Sequence, residues 1–178
     1  MRNLILIGIT VLCAGCASAP IPSYQVSGEY PALRGLDKKV KVSAQTPSFK
    51  DEGSIVCRAA AIVALPNKET FTTYISSALS KELAAANLLS DTADLTIAMK
   101  LTKVDFSSSL GATNWFIDGN YEIGGQTISV STVYNDKSSY FGPKACDNMA
   151  AYFQKAVSQH FKQLFSEPVI RQKLSASK

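Results

Sequence analysis

Two hydrophobic periods alternate along most of the chain, and together they predict an α+β fold. In some segments apolar residues recur every three to four positions, which is the spacing of one face of a helix. In others, apolar and polar residues alternate, as they do in a half-buried strand. The predicted helices are residues 70–87 and 144–165, and the predicted strands are residues 54–63, 95–106, 114–123 and 126–134.

The order of these elements, β-α-β-β-β-α, predicts how they pack. The simplest arrangement is two helices on one face of a mainly antiparallel four-stranded sheet. A right-handed parallel link would run from the buried strand at 54–63 over the first helix. Residues 39–44 alternate as well and predict an extra short N-terminal strand at an edge. Beyond the break at Glu167 and Pro168, residues 169–174 predict a last helical turn.

Two local signals refine the predicted sheet. The apolar set of the 95–106 strand ends at Leu101 and resumes out of phase at Val104, so we predict a β-bulge near Thr102 and Lys103. The pair Gly124-Gly125 predicts a two-residue hairpin between the last two strands.

The start of the chain has the order of an export signal. Arg2 supplies a positive charge, residues 4–12 are apolar, and small residues follow before Cys16. The apolar stretch is too short for a membrane helix, which needs about 20 apolar residues. Residues 1–15 are therefore predicted to be a signal peptide.

Three interpretations of the end of this signal are open. A secretory cut after Ala19 is one, although Pro20 would then follow the cut directly. A redox or metal pair of Cys13 and Cys16 is the second, and it lacks the βαβ context of such motifs. In the third, residues 13–16 (CAGC) resemble the lipobox of bacterial lipoproteins, with Cys13 where that family usually has leucine.

The lipobox resemblance implies that Cys16 receives a diacylglycerol, carries palmitate-type acyl chains and becomes the mature N-terminus. Two or more acyl chains hold a protein stably on a bilayer. Ala17 stands where an aspartate would favour retention in the inner membrane, so the resemblance implies an outer-membrane lipoprotein that faces the periplasm.

Residues 16–37 contain several prolines and glycines and show no sustained period. They predict a flexible linker from the lipidated Cys16 that could reach about 60 Å when extended. Residues 38–178 are then a single α/β periplasmic domain.

Cys57 and Cys146 are the two cysteines beyond the signal. In an oxidising periplasm an isolated pair usually forms a disulfide, so we predict this bridge. The alternative is a pair of buried free thiols. The bridge would close a loop of 89 residues, which in the chain-entropy treatment stabilises the fold by roughly 4 kcal/mol.

The composition predicts a folded protein and argues against a nucleic-acid-binding one. Hydrophobic residues make up 46% of the chain, which supports a folded core. The net charge of +4 comes from scattered lysines without a basic stripe, so nucleic acid is not an expected partner.

No set of catalytic residues emerges from the sequence. His160 is the only histidine, and its place beside the apolar stripe of the last helix predicts a boundary side chain. Asp118 and Glu122 share a strand face but lie about 13 Å apart, beyond the spacing of a glycosidase pair. We therefore expect no catalytic residues, no metal site and no cofactor.

Five segments resemble a family of small proteobacterial lipoproteins without an assigned activity, and the resemblance extends over residues 54–173. A looser resemblance, at the level of the fold, is to YajG-type lipoproteins and to the auxiliary lipoproteins of envelope transport systems. The five segments are residues 54–60 (SIVCRAA), 70–79 (TFTTYISSAL), 105–108 (DFSS), 114–117 (NWFI) and 145–150 (ACDNMA).

The anchor, the linker and the missing catalytic set together predict a tethered, non-enzymatic domain. Its partners would be the membrane, through the N-terminal lipid, and another envelope protein or a second copy of itself, which it binds or scaffolds. The alternative is an envelope hydrolase or a small-ligand sensor that uses a groove near Trp115 and Asp105.

Overall fold

Two sheets and three helices form the part of the chain that the computed structural model describes, which is residues 17–28, 30–58, 61–109 and 111–175. The α+β class predicted from the two hydrophobic periods is confirmed. The helices are α1 (Phe71–Ala85), α2 (Gly142–Ser166) and α3 (Pro168–Leu174). The strands are β1 (Ala17–Pro20), β2 (Lys41–Ala44), β3 (Ser54–Cys57), β4 (Ala61–Ala64), β5 (Thr96–Ser109), β6 (Ala112–Ile123) and β7 (Gln126–Lys137).

The four-stranded sheet has the order β2-β5-β6-β7. The three long strands form an antiparallel meander, and β2 lies at the edge, parallel to β5, with Lys41 opposite Thr96. The mainly antiparallel four-stranded sheet is thus present, but its fourth member is the short strand that we predicted as an extra. Helix α1 packs against β2 and β5, and α2 packs against β6 and β7.

The prediction of one buried strand at 54–63 is wrong. This run forms two strands, β3 and β4, which pair antiparallel in a second sheet of order β1-β4-β3. The chain reverses after Cys57, and Arg58 takes the left-handed conformation there with φ 49°. Apolar side chains occupy both faces of these two strands, with Val56 exposed and Val63 buried. The sequence therefore shows a continuous apolar run instead of the apolar–polar alternation of a half-buried strand. The predicted parallel link from this strand over α1 is therefore also wrong.

The prediction of a flexible linker over 16–37 is wrong for the residues that the structure describes. Strand β1 pairs parallel with β4, Ala17 lies opposite Ala61, and the Ile21 N–H donates to the Ala64 carbonyl at 2.7 Å. Ile21, Tyr24, Tyr30 and Leu33 are buried in the core. These anchors follow no regular period because the segment between them has no long helix or strand. The described residues before position 38 are therefore part of the folded unit.

Several local predictions are confirmed. The register between β5 and β6 shifts between Leu101 and Lys103, where we predicted the bulge. Gly124 and Gly125 close the β6–β7 hairpin, both with positive φ. The predicted last helical turn is α3. Two strands are longer than predicted, since β5 continues to Ser109 and β7 to Lys137.

An aromatic cluster fills the core between the sheet and the helices. Trp115 on β6 is fully buried, and its ring centroid lies 4.6 Å from that of Phe153 on α2. Phe71, at the start of α1, lies 5.4 Å from the same Phe153 ring. Each such pair contributes about 0.5–1.5 kcal/mol beyond the burial of its area. The cluster therefore joins helices α1 and α2 to the four-stranded sheet at one point.

Candidate functional site

The predicted disulfide is present. Cys57, at the end of β3, is bonded to Cys146 in the second turn of α2, with a Cα–Cα distance of 5.8 Å. Both residues are fully buried. The bridge fastens the small sheet to the long helix, and it rules out the free-thiol alternative and any Cys-His nucleophile that uses these two residues. Cys13 and Cys16, with the predicted lipidation site, lie outside the described residues.

Arg58 connects three turns beside this bridge. Its guanidinium donates to Ser108 Oγ at 2.9 Å and to the Ser139 carbonyl at 3.1 Å. These contacts join the end of β3, the tip of the β5–β6 hairpin and the connection between β7 and α2. We call this part of the molecule the disulfide end.

His160 is fully buried between α2 and the sheet, so the prediction of a boundary side chain is wrong. Its Nε2 lies 2.7 Å from the Tyr121 hydroxyl, and its Nδ1 lies 2.8 Å from Thr132 Oγ1. The Thr132 hydroxyl donates to the Gln163 side-chain carbonyl, so it accepts from Nδ1–H. Nε2 then accepts from Tyr121.

This arrangement requires a neutral imidazole. Burial lowers the pKa of His160 to about 4, an effect that the charge of Asp118 only partly opposes. Both ring nitrogens are occupied, and solvent does not reach the ring. His160 is therefore suited to holding α2 against β6 and β7 rather than to moving protons to a substrate.

Glu82 on α1 is a second buried polar residue, with 1% of its surface exposed. It accepts hydrogen bonds from the Tyr24 hydroxyl at 2.7 Å, from the Ser27 N–H at 2.8 Å and from the Gly28 N–H at 3.4 Å. Burial, together with Glu82, raises the pKa of Tyr24 above its usual range, so the phenol keeps its proton as donor. The carboxylate thus fastens residues 24–28 to α1.

A cavity of about 260 Å³ lies beside this carboxylate. Its apolar walls are formed by Leu33 and Leu36 from the N-terminal segment and by Ala85 from α1, while Arg34 and Glu82 supply opposite charges. We call it the Glu82 cavity. The cavity exists because the N-terminal segment folds over the end of α1.

Sequence reasoning missed the Glu82 cavity, although one signal was present. Glu82 follows Ala78 by four residues and Leu79 by three, which places it on the apolar face of the predicted helix. A carboxylate on that face needs hydrogen-bond donors from elsewhere in the chain. The donors come from a segment that was predicted to be a linker.

The predicted groove near Trp115 and Asp105 is wrong. Trp115 is fully buried and donates from Nε1 to the Met149 carbonyl at 2.9 Å. Asp105 is exposed, and it precedes Phe106, the residue opposite Trp115 in the ladder. Successive residues of a strand point to opposite faces, so these two side chains do not line one site.

Within the described ranges, no cluster of three or more histidine, cysteine, aspartate or glutamate side chains is arranged to hold a metal ion. Among the described helices, none has the length and apolarity to cross a bilayer.

Comparisons with known proteins give likeness of fold. Protein XCC0632 of Xanthomonas campestris, described as a member of family DUF330, is similar with a TM-score of 0.61 and 11% identity, over 88% of this chain and 96% of that one. Hypothetical protein CT253 of Chlamydia trachomatis has a TM-score of 0.43 and 10% identity, over 79% of this chain and all of that one. An uncharacterized protein has a TM-score of 0.43 and 11% identity, over 89% and 99%.

These neighbours are bacterial or uncharacterised proteins without a described activity. No protein-family model matches the chain. No curated protein matches it either. The likeness to protein XCC0632 supports the α+β fold, and a likeness of fold does not assign a function.

Removing the disulfide should lower stability. Replacing Cys57 and Cys146 together with alanine should reduce the free energy of unfolding by about 2–5 kcal/mol, because the denatured chain gains conformational freedom. Urea denaturation with and without reductant measures the effect. The wild type should lose stability in reductant and the double variant should not; equal midpoints for the wild type in both buffers would refute a stabilising bridge.

His160 should make stability depend on pH. Its pKa is about 4 in the folded protein against an ordinary value of 6.5, so the unfolded chain binds an extra proton between these values. The stability that depends on a neutral His160 is fully present above pH 6.5 and is lost as the pH falls toward 4. In that window the free energy of unfolding should change by up to about 1.4 kcal/mol per pH unit.

The free energy of unfolding measured from pH 7 to 5 tests this. Because the chain has one histidine, His160→Gln removes the imidazole titration and should flatten the curve in this window. An unchanged slope in His160→Gln would assign the dependence to other groups.

Proposed function

We propose that the protein is a lipid-anchored periplasmic domain of the bacterial cell envelope, held at the outer membrane through Cys16. It binds or scaffolds another envelope protein and catalyses no reaction. The observation that carries the proposal is the Cys57–Cys146 disulfide, in a folded unit that includes Ala17, the residue after the lipobox-like cysteine.

The disulfide supports the compartment. Structural disulfides persist in the oxidising periplasm and are rare in the reducing cytosol. Export is also supported by the charged, apolar and small-residue order of residues 1–15. The resemblance of residues 13–16 to a lipobox supports acylation of Cys16 as the membrane anchor.

The state of the reactive groups supports binding rather than catalysis. Both buried cysteines are oxidised, and both nitrogens of His160 have partners inside the core. The Glu82 carboxylate accepts its hydrogen bonds from the same chain. A general base has to reach a substrate proton, and these groups are already occupied by internal contacts.

The Glu82 cavity is the favoured contact for a protein partner. Its volume of about 260 Å³ is just below the range of pockets that hold drug-sized ligands, which is about 300–1,000 Å³. Apolar walls with one acidic and one basic group suit a single long side chain that a partner inserts. A central pocket filled by one anchor residue is a common arrangement at protein interfaces.

Metabolic labelling tests the anchor. Cells given radioactive palmitate should incorporate label into the wild type and into Cys13→Ser, and no label into Cys16→Ser. Cys13→Ser is the matched control because it changes the other cysteine of the same short segment. A mature chain that is free in the periplasm and has no acyl mass would overturn the anchor.

Blocking the cavity tests the partner contact. A photoreactive amino acid at position 36 should crosslink to an envelope protein in intact cells, and Ala85→Trp should abolish this adduct by filling the cavity. Ala84→Trp is the control, since Ala84 is exposed on the same helix and is not part of the cavity lining. No protein adduct, or an adduct that survives Ala85→Trp, would contradict this contact.

A further inference from the structure

The start of β1 lies at the disulfide end of the molecule. Ala17 is opposite Ala61 in the ladder, and Ala61 is opposite Cys57. Neighbouring strands lie about 4.8 Å apart, so Ala17 is about 10 Å from the disulfide. Residue 16 is one peptide bond further on. An acyl chain on that residue would therefore be attached next to this end of the domain.

Other exposed apolar groups gather at the same end. Tyr140 and Phe141, just before α2, are 78% and 69% exposed. Phe141 precedes Cys146 by five helical residues, which is about 7.5 Å along the helix axis. Tyr140 also lies over Gly111 in the β5–β6 turn: a Cβ at that glycine would be 3.6 Å from the Tyr140 hydroxyl.

The outer face of the small sheet has two more exposed apolar side chains. Val56 and Ile62 are opposite each other in the ladder, one residue away from the pair of Cys57 and Ala61, and are 67% and 42% exposed. In the described part of the chain, four of the six large exposed hydrophobic side chains thus lie at or next to the disulfide end. Scattered apolar residues are ordinary on a surface, whereas a cluster marks an interaction site.

Basic side chains accompany the apolar ones. Lys137, at the end of β7, and Lys144, in the first turn of α2, are both exposed. Arg58 at the end of β3 donates to the Ser139 carbonyl between them in sequence, and Asp136 and Asp147 are the acidic residues closest to them in sequence. Lysines beside exposed aromatic rings suit the phosphates and the interfacial layer of a lipid bilayer.

We infer that the disulfide end is a membrane-contact face, with Tyr140 and Phe141 at the level of the lipid headgroups and Lys137 and Lys144 beside the phosphates. This inference rests on the proposed acylation of Cys16, because the anchor holds this end at the bilayer. The domain then lies on the membrane in one orientation, and the Glu82 cavity faces away from the lipid.

The position of the Glu82 cavity fits this orientation. Residues 24–28, which adjoin the cavity, contact α2 far from its first turn: Gln154 Nε2 donates to the Gln25 carbonyl at 3.2 Å. Gln154 follows Gly142 by twelve residues, which is about 18 Å along the helix. A periplasmic partner can thus reach the cavity while the opposite end of α2 is on the bilayer.

Tryptophan fluorescence tests the orientation. The acylated protein with Tyr140→Trp is reconstituted into vesicles of phosphatidylethanolamine and phosphatidylglycerol whose acyl chains carry bromine, a contact quencher. The introduced indole should lose most of its emission relative to unbrominated vesicles, and its spectrum should shift to the blue. Native Trp115 is buried and gives the same background in each variant.

Val26→Trp is the matched control, because Val26 is an exposed apolar residue, 43% accessible, next to Gln25. Its emission should be the same in brominated and unbrominated vesicles. If the acylated protein floats with the vesicles but position 140 is not quenched, the contact face is wrong and the anchor remains. If the chain has no acyl mass and does not float with the vesicles, the proposed acylation is wrong, and the proposed orientation, which depends on it, is wrong too.

Discussion

The parallel pairing of β1 with β4 is the contact on which the other features depend. It makes the first described residues part of a sheet, and the hydrogen bond from the Ile21 N–H to the Ala64 carbonyl continues the ladder beyond the strand. The segment then crosses α1 and buries Tyr24 and Leu33. The described residues after position 16 are therefore part of the core, and the position of Ala17 is a property of the fold.

The buried polar groups are explained by the same docking. Glu82 is tolerable in the core because Tyr24, Ser27 and Gly28 bring donors to it, and an unpaired carboxylate there would cost several kcal/mol. His160 stays neutral because burial lowers its pKa, and Tyr121 and Thr132 give both ring nitrogens a partner. The disulfide fastens the small sheet to α2 at the other end of the helix. These contacts leave the Glu82 cavity as a surface recess whose floor is fixed, which suits recognition of a partner.

The long elements could be predicted from the sequence because each contains enough positions to display its period. Helices α1 and α2, strands β5 to β7, the bulge after Leu101 and the Gly124-Gly125 turn all fall in this group. Strands β1 and β3 have four residues each, too few for alternation to be distinguished from chance. Strand β2 is equally short and could be predicted because its alternation extends to residue 39. The role of Glu82 depends on donors about 55 residues earlier in the chain, and no local pattern carries that information. The disulfide could be predicted because two cysteines allow one pairing once export is assumed.

Hydrogen exchange at the Ile21 amide tests the central claim most directly. The amide is buried and bonded to Ala64, so it should exchange as slowly as core amides of β5, at a rate set by opening of the whole domain. Exchange at the rate of an unstructured peptide, while β5 stays protected, would mean that residues 17–36 form a tether after all, and that Ala17 is not held at the disulfide end.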